Sequence, residues 1–378
     1  MLKNPNKFHA RWLCAVLLFS LSSCSFVIQT PSVPSPKHAK ANLFRGVFHV
    51  HSKFSHDSKA PLKLIIQTAQ KAGLDFVVVT DHNNLNAVSS YQNMNRPDRP
   101  LLIFGDEIST WSDGHLIGLG IKTEPPETGD TQEIVNSIHK RGGYAIIAHP
   151  LSKRKPWPNW KIQNFDGLEI FCFSDVFYIS NMKKLILKAL FFPPSIFIPS
   201  VLENPDAGLK LWDKHLLSGR HITAFASADA HVKFYWHGFH VENLLLYFQA
   251  VTMYVLADEF KEETLVKSMG DGKTFAAFEI YGLAQDFSFS GAAENKSYGL
   301  GDSIHAKSPI RFTVRAPKTA EIRLIHNGKI VKQALDQMLE YETQELGYYR
   351  SEVYVDGKLW IVSNPIYIEN RAEKEVLL

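Results

Sequence analysis

The sequence predicts an α/β protein: a parallel sheet, closed or open, covered by helices and followed by a small β-rich unit. Three observations carry this. Short β-branched runs alternate with amphipathic segments after residue 43. Imidazoles and carboxylates recur within or just after the predicted strand ends, where such folds gather their functional groups. From Phe287 onward the texture changes to short alternating strands with hairpin signals.

The chain opens on Lys3, Lys7 and Arg11, followed by an apolar run from Trp12 to Leu21. That is the layout of a secretory signal, and it is too short to span a bilayer comfortably. Leu21-Ser22-Ser23-Cys24 resembles a bacterial lipobox, which implies cleavage before Cys24 and its lipidation. An uncleaved signal anchor and a plain cleaved signal are the alternatives. Ser25 carries no sorting acid, so the resemblance implies an exported protein held at the periplasmic face of the outer membrane. Residues 1–24 are thus expected to be a signal peptide, and the Pro- and Ser-rich residues 25–43 a tether.

Predicted strands follow at 47–50, 76–80, 101–104, 144–148, 168–171 and 223–226. Between them, Leu62, Ile65, Ile66 and Ala69 fall at helical spacing, as do Ile134, Val135 and Ile138, which Gly142 and Gly143 then stop. Residues 176–205 form an apolar insertion that also holds Lys183, Lys184 and Lys188. A buried helical hairpin, a lid over the site and a membrane-facing surface are all compatible with it. In 286–378, strands are expected at 310–314, 321–325, 329–332, 347–355 and 358–362, with Asn327-Gly328 and Asp356-Gly357 as two-residue turns. This reads as a small β-sandwich that packs or positions.

The 378 residues are 45% hydrophobic and 21% charged, enough for a large core and more than one domain. A net charge of +3 without a Lys/Arg stripe argues against a nucleic acid polymer as partner. Of three cysteines, Cys14 would leave with the signal and Cys24 would be lipidated. That excludes a disulfide framework and leaves Cys172, in an apolar run, as a buried inert thiol.

The chemistry is carried by short motifs. In Phe48-His49-Val50-His51 the two imidazoles can face one ion from a strand, although paired histidines also occur in cores and on surfaces. Ser55-His56-Asp57 follows. Val77-Val78-Val79-Thr80-Asp81-His82 ends a greasy strand in groups that are costly to bury unless paired. Glu107 ends another strand, His115 sits in Gly114-His115-Leu116, His149 in Ala148-His149-Pro150, and Asp229-Ala230-His231 closes the series.

This order resembles the polymerase-and-histidinol-phosphatase (PHP) superfamily over residues 44–285. The resemblance implies a distorted seven-stranded (β/α)7 PHP barrel with two or three divalent ions, zinc, manganese or iron, at its mouth. On that pattern His49, His51, Glu107 and Asp229 hold one ion, and Glu107 bridges to a second held by His115 and His149. Asp57, His82 and His231 hold the third, with His56 able to replace Asp57. The implied activity is hydrolysis of a phosphate ester, mono- or diester, by a metal-activated hydroxide in a di- or trinuclear site. Asp81 and His56 are the candidates for catalytic roles: Asp81 orients a ligand or handles a proton, or is a turn residue. Lys53, Lys153 and Arg154 are candidate grips for the anionic substrate, unless the last two belong to a solvated loop. The Ser363-Asn364-Pro365 strand also resembles the tail of some exported relatives.

The expected substrate is a phosphorylated small molecule or an envelope-derived ester. Rival readings are hydrolysis of an amide or lactone at the same site, and a noncatalytic envelope protein that binds a glycan or protein.

Overall fold

The computed structural model describes residues 42–370 except 96, 112, 127–128, 180–190, 192–197, 201, 237, 241–242 and 306. The signal, the lipobox with Cys24, nearly all of the tether and most of the 176–205 insertion lie outside the described residues. Among the described residues no helix is long and apolar enough to cross a membrane.

Strand β1 (Leu43–Val50) is almost wholly buried, the polar His49 included. Helix α1 (Leu62–Ala72) buries Leu62, Ile65, Ile66 and Ala69 and ends where Gly73 turns left-handed at φ 69°. Then come β2 (Phe76–His82), α2 (Ala87–Gln92), β3 (Leu101–Ser109) and β4 (His115–Leu119). In α3 (Thr131–Lys140), Asp130 caps the first turn by accepting from the Gln132 amide. The series continues with β5 (Tyr144–Ala148), β6 (Gly167–Cys172), α4 (Phe173–Ile179), α5 (Asp206–Leu216) and β7 (Thr223–Ser227).

Strands β1, β2 and β3 pair in parallel, as do β5, β6 and β7. The expectation of a purely parallel sheet needs correction, because β4 pairs antiparallel with both β3 and β5. A tight return, closed by the Thr110 amide on the Gly114 carbonyl at 3.0 Å, leaves no room for a crossover. Beyond β7 the chain comes back to β1: the Ala228 and Ala230 amides donate to the Phe48 and His49 carbonyls, and the His51 amide donates to Ala230 O.

A short hairpin of β8 (Tyr235–Trp236) and β9 (Phe239–His240) leads to α6 (Leu244–Ala250). Strand β10 (Thr252–Leu256) pairs antiparallel with β1, α7 (Glu262–Gly270) follows, and β11 (Thr274–Ala277) pairs with β10.

The C-terminal strands are β12 (Ser288–Ala293), β13 (Lys296–Tyr298), β14 (Ser303–Ile304), β15 (Ile310–His326), β16 (Lys329–Thr343), β17 (Gly347–Val355), β18 (Lys358–Ser363) and β19 (Ile366–Ile368). The two strands expected at 310–314 and 321–325 are one strand, whose pairing passes from β12 to β17 across an irregularity between Arg315 and Ala320. Both expected turns carry consecutive left-handed residues, Asn327 with Gly328 and Asp356 with Gly357. These strands enclose their own core, with Phe289, Phe312, Ile322, Tyr349 and Trp360. They do not stand apart, because β18 pairs with β11 and extends the same sheet. At that seam the Asn364 amide group donates to Ala224 O and Thr274 O and accepts from Ala224 N.

Candidate metal centre

The strand ends bring the candidate ligands together. At the end of β1, His49 takes φ 68°, a conformation rare for a residue with a Cβ; His149 and Asp229 are also left-handed, at 28° and 45°. Such backbone strain is characteristic of functional sites, where the surroundings hold it in place. Because β4 runs antiparallel, His115 reaches the same mouth from the start of its strand, level with Ser109 at the end of β3.

The Nε2 atoms of His49 and His51 lie 3.1 Å apart, and each is 3.1 Å from Glu107 Oε2. Asp229 Oδ1 is 3.5 Å from His49 Nε2 and 3.4 Å from His51 Nε2. Four ligand atoms about 2.1 Å from one tetrahedral cation would stand about 3.4 Å from one another. The fit is close, and hydrogen bonding does not explain it: Glu107 Oε2 is buried without a hydrogen-bond partner, as is His149 Nδ1. Buried polar atoms left this way are costly unless something else satisfies them.

A second group joins His82, Glu107 and His115, and a third joins His51, Asp57, His82 and His231. His115 Nδ1 is 2.7 Å from Glu107 Oε1, and His231 Nε2 is 2.8 Å from Asp57 Oδ2. All nine expected ligands therefore gather around Glu107 and Asp57. The partition differs in detail. His82 stands with both later groups, while His149, 3.0 Å from Glu107 Oε1, falls outside the three tight clusters.

At His49, His51, His149, Glu107 and Asp229 burial opposes charge, yet opposite charges prevail. Glu169, Glu107 and Asp229 hold the His49 imidazole well above its ordinary range, against its desolvation. Despite burial, His51 and His149 are raised to about 9, both by Glu107 and by Asp229. Glu107 and Asp229 are held well below the carboxylate range by the surrounding imidazoles, again against burial. Burial wins at His82, which drops to about 3. Protons thus supply positive charge where cations would.

Other candidates fall elsewhere. Asp81 accepts from Ser52 N at 2.6 Å and Ser52 Oγ at 2.5 Å, so it fixes the turn after His51. His56 is exposed, its ring 4.9 Å from that of His82. Lys53, Lys153 and Arg154 are exposed. The lysine found against the cluster is instead Lys233, with Nζ 3.3 Å from Asp57 Oδ2. Cys172 is buried, and burial pushes its thiol well up, as expected of an inert side chain.

The residue that sequence reasoning missed is Glu169. Fully buried on β6, it accepts from His49 Nδ1 and from the His149 amide, both at 2.7 Å. That bond puts the His49 proton on Nδ1 and leaves Nε2 free for a cation. A lone carboxylate inside Leu168-Glu169-Ile170-Phe171 was the available signal. Ser174 similarly donates to Asp229 Oδ2 at 2.7 Å.

A family model for the PHP domain matches residues 48–251, more than half of the chain. The chain belongs to the PHP family. PHP proteins are commonly hydrolases, and the clustered His, Asp and Glu side chains suit divalent metals. An uncharacterized protein of Methanocaldococcus jannaschii, MJ1587, is 28% identical over 135 residues, covering 32% of this PHP chain and 78% of its own. A two-domain protein from Bacteroides vulgatus, containing a predicted PHP-like metal-dependent phosphoesterase, aligns over 85% of this chain and 95% of its own at 13% identity and a TM-score of 0.42. An amidohydrolase from Chromobacterium violaceum aligns over 49% and 87%, at 14% identity and a TM-score of 0.33.

Proposed function

We propose that this PHP protein is a metal-dependent phosphoesterase, exported and anchored through Cys24, that hydrolyses a phosphorylated small molecule or envelope-derived ester. The carrying observation is the convergence of His49, His51, Glu107 and Asp229 on separations that match one coordination sphere, with two further groups beside it. In this reading the strands from β1 to β7 form the distorted seven-stranded barrel, and the C-terminal strands form a sandwich that braces it. The signal-like run before Cys24 supports the anchor.

His49, His51, Glu107 and Asp229 would hold one ion, and the groups around His115 and His231 the others. Bound divalent ions polarise phosphoryl oxygens and make water a nucleophile near neutral pH. The chain's own residues set the geometry. Glu169 fixes the His49 tautomer, Ser174 orients Asp229, and Asp81 holds the Ser52 turn beside His51. Lys233 lies at the mouth, where it can meet an anion. The buried, high-pKa thiol of Cys172 makes a poor nucleophile, in keeping with attack by water.

The test is elemental analysis of protein purified without added metal, then turnover of aryl phosphates against aryl esters and amides. We expect two or three ions per chain and hydrolysis of phosphates alone. Cleavage of esters or amides instead would reassign the chemistry. No turnover at all, with His49→Ala changing only the melting temperature, would make the centre structural.

A further inference from the structure

Beside the metal-ligand cluster lies a cavity of about 240 Å³ lined in part by His149 and Glu169. His149, 3.0 Å from Glu107 Oε1, thus belongs both to the cavity wall and to the cluster. Its walls are largely apolar, including Ile170, Phe171, Val176 and Pro205. Its shape is set by close packing of α5 on β6: a Cβ at Gly208 would meet the Ile170 carbonyl oxygen at 1.9 Å. The chain can lie there only because that residue is glycine.

Apart from the His149 imidazole, the charged groups of this cavity are carboxylates. Glu169, Asp175 and Glu203 line it, and no Lys or Arg does so among the described residues. Asp175 is buried and accepts from Ser152 Oγ at 2.7 Å; Glu203 is exposed, at the rim. An anion placed here would lose hydration and meet three carboxylates, with no lining lysine or arginine among the described residues to offset them. The volume lies below the roughly 300–1,000 Å³ of common ligand sites, so one ring or a short chain fits.

We propose that this cavity receives the leaving group of the ester, and that it selects small alcohols that are neutral or bear an amine over those carrying a second anion. The inference rests on the phosphoesterase reading for its kinetics, and on the cavity alone for its binding. In the reaction the oxygen of water joins phosphorus, the ester P–O bond breaks, and a proton from water ends on the departing alcohol. That alcohol is left in the acidic, apolar cavity, while the phosphate stays with the ligand cluster.

The experiment uses the full chain in non-ionic detergent, loaded with Mn²⁺. Phenyl phosphate, 4-(aminomethyl)phenyl phosphate and 4-carboxyphenyl phosphate differ in leaving-group charge. We expect kcat/KM for the carboxylated ester to fall about tenfold below that of phenyl phosphate, as like charges in a poorly solvated site require. Glu203→Lys, at an exposed position, should raise the carboxylated ester and lower the aminomethyl one. Equal rates for all three esters, unmoved by Glu203→Lys, overturn the proposal. Binding of phenol, tyramine and 4-hydroxybenzoate, followed by ligand-observed NMR, gives a second arm. If no phosphate ester turns over, the phosphoesterase reading fails and this arm still decides. Preference for phenol and tyramine, abolished by Ala207→Trp with unchanged melting, upholds the cavity's selectivity. Equal binding of the three, or none, overturns it.

Discussion

Buried charge is arranged in opposite ways at the mouth of the strands and at the seam with the C-terminal strands. At the seam, Arg350 donates from Nε and Nη2 to the two oxygens of Asp213 at 2.9 and 2.8 Å, and from Nη1 to Glu352 at 2.5 Å. Tyr348 completes Asp213 and Tyr354 completes Glu352, each at 2.8 Å. Donors meet acceptors throughout. Around Glu107 Oε2, imidazole nitrogens and a carboxylate oxygen crowd to 3.1–3.5 Å of one another, while Glu107 Oε2 and His149 Nδ1 have no hydrogen bond. The seam is electrostatically finished as it stands; the mouth has the side chains and spacing that suit divalent cations. Paired buried charge therefore marks architecture, and convergent unpaired ligand atoms mark a site.

The largest expected effect separates the two directly. Arg350→Met leaves Asp213 and Glu352 without their cation, and denaturant unfolding should show a loss of ~3–5 kcal/mol. Metal content should stay unchanged; its loss would mean that seam and mouth are one coupled unit. Next comes Glu169→Gln, which keeps the shape but weakens the acceptor behind His49. Calorimetric titration should show metal affinity falling ~10–100-fold, the usual worth of such a supporting partner. Unaltered affinity would place Glu169 with the purely architectural charges of the seam.

The smallest effect sharpens the contrast through pH. In metal-stripped protein His51 and His149 hold protons up to about 9, against 6.5 for an ordinary imidazole. A raised folded-state value means the stabilisation is fully present below pH 6.5 and fades as pH rises through about 9. Melting of the stripped protein should therefore fall over that window, and metal loading should remove the slope, since cations replace the protons. A slope that survives loading would show that the imidazoles do not hold the metal.

Much of the site was legible because ligand chemistry is local. His49 and His51, Asp81 and His82, and Asp229 and His231 each announce themselves by polar groups closing an apolar strand, where burial without a partner is costly. His115 was the less legible ligand, because its place depends on β4 running antiparallel, which no residue of Gly114-His115-Leu116 states. Glu169 was read as part of a plain strand, since one carboxylate among apolar residues gains meaning only when His49 and His149 are found against it. Lys233 was likewise illegible as a neighbour of the cluster, because its partner Asp57 lies far away in sequence.

By itself, then, the sequence determined which side chains could bind cations and roughly where strands end, because alternation, turns and hydrophobic runs are set by neighbours along the chain. Tertiary structure decided the rest: the antiparallel β4, the joining of β11 to β18, the partition of ligands around Glu107, and the pairing of Arg350 with Asp213. Each of these depends on contacts between residues far apart in sequence, whose energies arise only when packing brings them within a few ångströms and removes the water between them.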